Sequence, residues 1–311
     1  MEILAPLRLL DGFQRRHRTP AVAIAVVKKA SEDGAGATAA LISYYGFLSI
    51  FPLLLAGFAI LGFVAEASAG ARKAILASVL RELPVFKDSI SQGHITGSGL
   101  GLAVGVVGAL WAGLSVTVVL QRAFNMVNCV PYYRRANFFQ TRLRGGRLLL
   151  AVGVLEVVAT GLTGLISTGF GGVVLVIAGI LVSLAVNALL FFVAFRVLSD
   201  TRVPTRDLWP GIILATAGWE LLQALGGIYV DHVLRSASAT YGSFATVIGL
   251  LAWLILGARI VVYGAELNNV VAHHYWPRSL IGPETEADRA VRRALAAVEQ
   301  SEVGESIEVR F

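Results

Sequence analysis

The sequence predicts an all-α, polytopic membrane protein: six transmembrane helices with short amphipathic interfacial helices. Three observations predict it. Of 311 residues, 56% are hydrophobic and only 15% charged, against about 25% charged in soluble domains, and mean hydropathy is +0.72. A hydrocarbon core about 30 Å thick takes roughly 20 apolar residues of helix, and residues 38–64, 98–121, 147–168, 172–197, 207–230 and 243–263 meet that length. The basic residues are also one-sided. Of the 26 Lys and Arg, only Arg72, Lys73, Arg81, Lys87 and Arg235 fall on one side of the spans, with Arg122 and Arg259 within or beside them. The rest lie in segments on the other side, so the positive-inside rule predicts both termini in the cytoplasm.

Residues 1–36 form a basic, amphipathic cytoplasmic segment. Arg15-Arg16-His17-Arg18 precedes an apolar run of only seven residues, 21–27, which ends at Lys28-Lys29; that is too short for a signal peptide. Thr19-Pro20 reads as a cap followed by proline at the first helical position, predicting a short surface helix over 20–30.

A membrane domain spans 37–272. In the first span Pro52 removes a backbone hydrogen bond and pushes on the carbonyl four residues back. A kink is expected, either a static bend or a moving hinge, with Ser43, Tyr44, Tyr45 and Ser49 at hand to satisfy the freed carbonyl. Between the first two spans, 65–97 is the sizeable external segment; Ile75, Leu76, Val79, Leu80 and Leu83 recur at helical spacing there. It is read as an interfacial helix or a cap over a cavity. Gly97, Gly101, Gly105 and Gly108 strip one face of the second span, for close packing within the chain or against a second copy in a homodimer. From Leu148 to Phe195 the only charge is Glu156, and Gly171-Gly172 supplies a turn, so the third and fourth spans read as a tight hairpin. The tail, 273–311, carries an amphipathic helix over 284–300, with Ala287, Val291, Leu295 and Val298 on one face. Residues 301–311 are expected to lack regular structure.

Ionisable residues within spans are the sharpest chemical signal, because a charge at the bilayer centre costs about 2.5–3.5 kcal/mol on insertion scales. At 1.5 Å per residue, Glu156 lies roughly 14 Å above the start of the third span and Glu220 roughly 20 Å above the start of the fifth. Asn187, Gln223 and Arg259 fall at compatible depths, so Glu156, Asn187, Glu220, Gln223 and Arg259 form a candidate polar cluster. It is either structural glue or a site for an ion or polar head group. Arg122 and Glu266 lie nearer the cytoplasmic ends, where snorkelling suffices.

The single cysteine, Cys129, excludes an intramolecular disulfide, and no Cys–His cluster has metal-ligand spacing. His273-His274 are adjacent, not four apart, and Tyr275 and Trp276 beside them read as interfacial anchors. Nucleophile elbow, phosphate loop and metalloprotease motifs are absent. The expectation is a non-enzyme without cofactor or metal, and with no nucleic-acid partner.

The first span, Ala39-Ala40-Leu41-Ile42-Ser43-Tyr44-Tyr45-Gly46-Phe47-Leu48-Ser49-Ile50-Phe51-Pro52-Leu53, resembles the signature of the YihY/BrkB family of bacterial inner-membrane proteins. Trp111, Ser115 and Asn125 add to the match, as do Tyr241-Gly242-Ser243-Phe244 and the closing Gly264-Ala265-Glu266-Leu267-Asn268. The resemblance implies a six-helix inner-membrane protein of envelope integrity, in a family whose members once carried the label ribonuclease BN. It carries Tyr44, Tyr45, Ser49, Pro52, Trp111, Asn125, Tyr241, Gly242, Glu266 and Asn268 over as positions to test. The expected function is transport or export of a lipidic or amphipathic envelope component through a polar cavity, with membrane lipids as partners. Cation–proton antiport and a non-transporting scaffold are the alternatives.

Overall fold

The computed structural model describes residues 5–67, 99–167, 172–201, 203–229 and 243–303. Every regular element among them is helical: α1 (Ala5–Arg16), α2 (Arg18–Glu32), α3 (Ala35–Ala67), α4 (Gly99–Val127), a 3₁₀ turn (Tyr132–Arg134), α5 (Phe138–Ser167), α6 (Gly172–Val197), α7 (Thr205–Tyr229), α8 (Ser243–His273) and α9 (Glu286–Val303). All six expected spans correspond to long helices. Among the described residues, four segments are long and apolar enough to cross a membrane: Ala35–Ala56, Leu102–Val127, Ile177–Val197 and Val247–His273. Against that measure, α5 carries Arg142, Arg144 and Arg147 in its first turns and α7 carries Arg206, Asp207 and Glu220. Leu41, Leu48, Phe51, Val107, Leu110, Ile180, Leu181 and Ile213 are exposed along these helices. Large exposed apolar faces on long helices suit lipid, not water.

The chain divides into two compact units. The first contains residues 1–40, 117–221 and 257–311. Within it, α2 buries Ala21, Ala25, Val26, Lys29 and Ala30, a stripe at helical spacing. Ala25 and Val26 pack on Val270, with Tyr263, Leu267, Tyr275 and Trp276 around them. Residues 20–30 are helical, as expected; the small side chains on one face of α2 let it press against the end of α8, while Ala23 and Val27 are exposed on the other. Tyr275 and Trp276 are half-buried and flank this core. The start moves: His17 caps α2 without a side-chain hydrogen bond, and Pro20 occupies the third helical position, still in the first turn where its missing N–H is no loss.

In α1, Asp11 and Gln14 are buried while Leu10 and Phe13 are exposed. Gln14 Nε2 donates to the Arg278 carbonyl at 2.6 Å, so the helix turns its polar side inward. Helices α5 and α6 pack against each other, as the hairpin expectation requires. Helices α7 and α8 meet backbone to backbone. A Cβ on Gly211 would lie 2.1 Å from the Gly264 carbonyl oxygen, and one on Gly264 would lie 3.0 Å from the Gly211 oxygen. The C-terminal helix runs over Glu286–Val303, with Ala287, Val291 and Val298 buried.

The second unit contains residues 41–116 and 222–256. There α3 continues across Pro52, and the expected small-residue face of α4 receives it. A Cβ on Gly105 would meet the Ala56 nitrogen at 2.6 Å, and one on Gly108 would meet the Pro52 side chain at 3.0 Å. This part of the face is therefore occupied by the same chain. Gly226 of α7 is similarly closed by Trp253. The Ser49 hydroxyl donates to the Gly46 carbonyl at 2.6 Å, not to the Leu48 carbonyl that Pro52 frees. The segment 65–97 lies outside the described residues apart from the end of α3, as do the Gly171 turn, Tyr241, Gly242 and 304–311.

Candidate functional site

Three polar assemblies of the first unit contain residues singled out by the sequence. The first surrounds Lys29, which is fully buried. Its Nζ donates to Asp33 Oδ2 at 2.6 Å, to the Val127 carbonyl at 2.7 Å and to Glu266 Oε2 at 3.0 Å. An ammonium has three protons, and all three are used. Asp33 caps the C-terminus of α2, and Val127 is the last residue of α4, where helix carbonyls lack internal partners and carry partial negative charge. Burial disfavours the Lys29 charge, but the Glu266 and Asp33 carboxylates outweigh it and raise its pKa above the usual value. Glu266 is thus no snorkelling residue; it is fully buried, because α2 brings a cation to it. Sequence reasoning counted Lys29 only as a topological charge. The signal available was an abrupt pair of lysines ending an apolar run.

The second assembly joins the corner after α4 to the loop after α6. Asn125 Nδ2 donates to Asp200 Oδ2 at 2.7 Å, and the Asp200 N–H returns to Asn125 Oδ1 at 3.0 Å. The Ala136 N–H and Arg144 complete the carboxylate. Burial opposes ionisation of Asp200, yet these donors hold its pKa below the ordinary carboxylate value. Asn268 plays a comparable part between helices, its Oδ1 accepting the Gly211 N–H at 2.7 Å. Three family-motif positions, Asn125, Glu266 and Asn268, therefore hold the frame.

The third assembly contains the mid-helix acid. Glu220 on α7 accepts through Oε1 from Asn187 Nδ2 at 2.8 Å and Ser183 Oγ at 3.0 Å. Ser183 and Asn187 are four residues apart, so they share one face of α6. Among the described residues no Lys or Arg pairs with Glu220. The five-residue cluster expected from depth does not assemble as such: Asn187 joins Glu220, whereas Glu156, Gln223 and Arg259 are exposed. Rise per residue sets depth; the direction around the helix is set by packing. Tyr44 and Trp111 are also exposed, with Tyr44 edge-on to Tyr45 at 5.5 Å.

A sequence model of the family described as Virulence factor BrkB matches residues 26–289. The chain belongs to the BrkB family. The match takes in all three assemblies, from Lys29 to Asn268. Among relatives of this BrkB chain, the ribonuclease-like protein YfkH of Bacillus subtilis is 24% identical over 240 residues, covering 73% of the chain and 86% of YfkH. The inner membrane protein YhjD of Escherichia coli is 24% identical over 250 residues, covering 73% of each. A UPF0761 membrane protein of Halorhodospira halophila is 25% identical over 265 residues, and the chain spans 57% of its length. No solved structure matches at a significant level.

Proposed function

We propose that this BrkB-family membrane protein is a non-enzymatic, six-span transporter or export factor for a lipidic or amphipathic component of the bacterial envelope, with both termini in the cytoplasm. The observation that carries the reading is Glu220: an acid fifteen residues into α7, roughly 22 Å along its axis, held by the neutral donors Ser183 and Asn187. An unpaired carboxylate within a membrane helix is costly and marks ion, proton or head-group pathways. Neutral donors position it without cancelling its charge, leaving that charge for a cargo head group or a coupling ion. Membership of a family whose relatives include inner-membrane proteins supports the location. The same carboxylate supports the second reading, exchange of a cation for a proton.

Reconstitution separates the readings. Labelled-lipid movement across proteoliposomes tests export, and an internal pH-sensitive dye tests exchange. Glu220→Gln keeps the shape and both hydrogen-bond contacts, so it is expected to abolish the active process while preserving a monodisperse protein in detergent. Full activity of Glu220→Gln overturns the assignment, and absence of both activities in the wild type, alongside a stable protein partner, favours the scaffold.

A further inference from the structure

One cavity of about 640 Å³ opens beside the end of α4, the 3₁₀ turn and the start of α5. Its volume falls in the range of about 300–1,000 Å³ typical of small-molecule sites. Three arginines, Arg122, Arg135 and Arg142, are among the residues lining it. The one acidic residue among the described lining, Asp200, is already engaged by Arg144, Asn125 and the Ala136 N–H. Among the described residues neither Arg122 nor Arg142 pairs with an acid; Arg142 rests over the Phe138 ring at 5.3 Å. Arg135 is held in place, its Nε donating to the Val130 carbonyl at 3.0 Å and its guanidinium 3.8 Å from the Tyr132 ring centre. That leaves Arg135 Nη2 buried with no hydrogen-bond partner among the described residues. A buried donor without an acceptor is expensive and calls for an explanation.

We propose that this cavity binds a phosphate-bearing anion, gripped by Arg122, Arg135 and Arg142. Planar guanidinium forks match phosphate oxygens in pairs, and the stacking of Arg135 on Tyr132 fixes its guanidinium with Nη2 still unpartnered among the described residues. A lipid head group and a free phosphate share this chemistry. Phe138, Phe139 and Leu143, exposed by 67%, 80% and 56% at the start of α5, give an attached acyl chain an apolar surface beside the cavity. The inference uses none of the residues of the Glu220 reading and stands or falls separately.

The test is equilibrium binding to the full chain in detergent. The probes are short-chain phosphatidylglycerol, short-chain phosphatidylcholine and inorganic phosphate. Saturable binding of phosphatidylglycerol is expected, weakened about tenfold or more in Arg122→Gln/Arg142→Gln, the scale of losing one charge-assisted hydrogen bond. Phosphatidylcholine, whose phosphate is neutralised by its own cation, is expected to bind at least tenfold more weakly. Arg289→Gln/Arg293→Gln removes the same charge from exposed positions of α9 and is expected to bind like the wild type. Competition by inorganic phosphate identifies the phosphate group as sufficient; its failure to compete, with phosphatidylglycerol bound, assigns the lipid as the ligand. If the double variant does not fold, exposed Arg122→Gln alone is expected to weaken binding by at least about threefold. Equal affinity in wild type and cavity variants, equal loss in the α9 control, or no binding of either anion overturns the proposal.

Discussion

Replacing Lys29 by Met tests the frame most severely. The methionine fills nearly the same volume, but three hydrogen bonds of 2.6, 2.7 and 3.0 Å disappear. Two carboxylates then stay behind without their cation, and the second oxygens of Glu266 and Asp33 are already buried without a partner among the described residues. Breaking a buried ion pair from one side costs about 3–5 kcal/mol, a large share of the roughly 5–15 kcal/mol that holds a typical fold. At about 2–4 °C per kcal/mol for a chain of this order, the midpoint of thermal unfolding in detergent is expected to fall by roughly 6–20 °C. Lys29→Met/Glu266→Met leaves only Asp33 uncompensated and is expected to recover part of that loss, since apolar replacement of a buried pair is often neutral. A Lys29→Met midpoint within about 1 °C of wild type, well inside the predicted shift, would refute the account of this cluster.

Two further outcomes follow from packing and charge. Gly211→Ala drives a Cβ to 2.1 Å from the Gly264 carbonyl and 2.4 Å from Asn268 Oδ1; it is expected to cost about 1–3 kcal/mol or more, read as a lower melting midpoint and poorer monodisperse yield. Gly153→Ala, with nothing within 4 Å of the added carbon, is the matched control and should leave both unchanged. Asp288 accepts from Lys28, Arg278, the Ser279 N–H and Thr285; burial opposes its charge, but these donors prevail and hold its pKa well below 3.8. A depressed carboxylate stabilises fully above its unfolded pKa and loses that contribution as pH falls below it. Asp288→Asn is therefore expected to be destabilised at pH 7, with its deficit against wild type shrinking as melts are taken below pH 3.8; a deficit that does not change with pH would show that the clasp is not electrostatic.

Much of the fold was legible because its causes are local. Apolar length marks each long helix, and the glycines of α4 announced a close approach that Pro52 and Ala56 supply. The candidate site was legible only in part. Glu220 and Asn187 were singled out by depth and do meet; Glu156, Gln223 and Arg259 share that depth and face outward. Hydropathy cannot resolve the difference, since a helix of one hydropathy presents any of its faces to its neighbours.

By itself, then, the sequence determined the solvent, the long apolar helices and the membership of a family, because length, hydropathy and motif order are properties of contiguous residues. Only the tertiary structure decided which charges meet. Lys29 and Glu266 are 237 residues apart, and nothing in either neighbourhood names the other. Their pairing depends on how far α2 presses against α8 and on the rotation of each helix about its axis, which the packing of Ala25 and Val26 on Val270 sets.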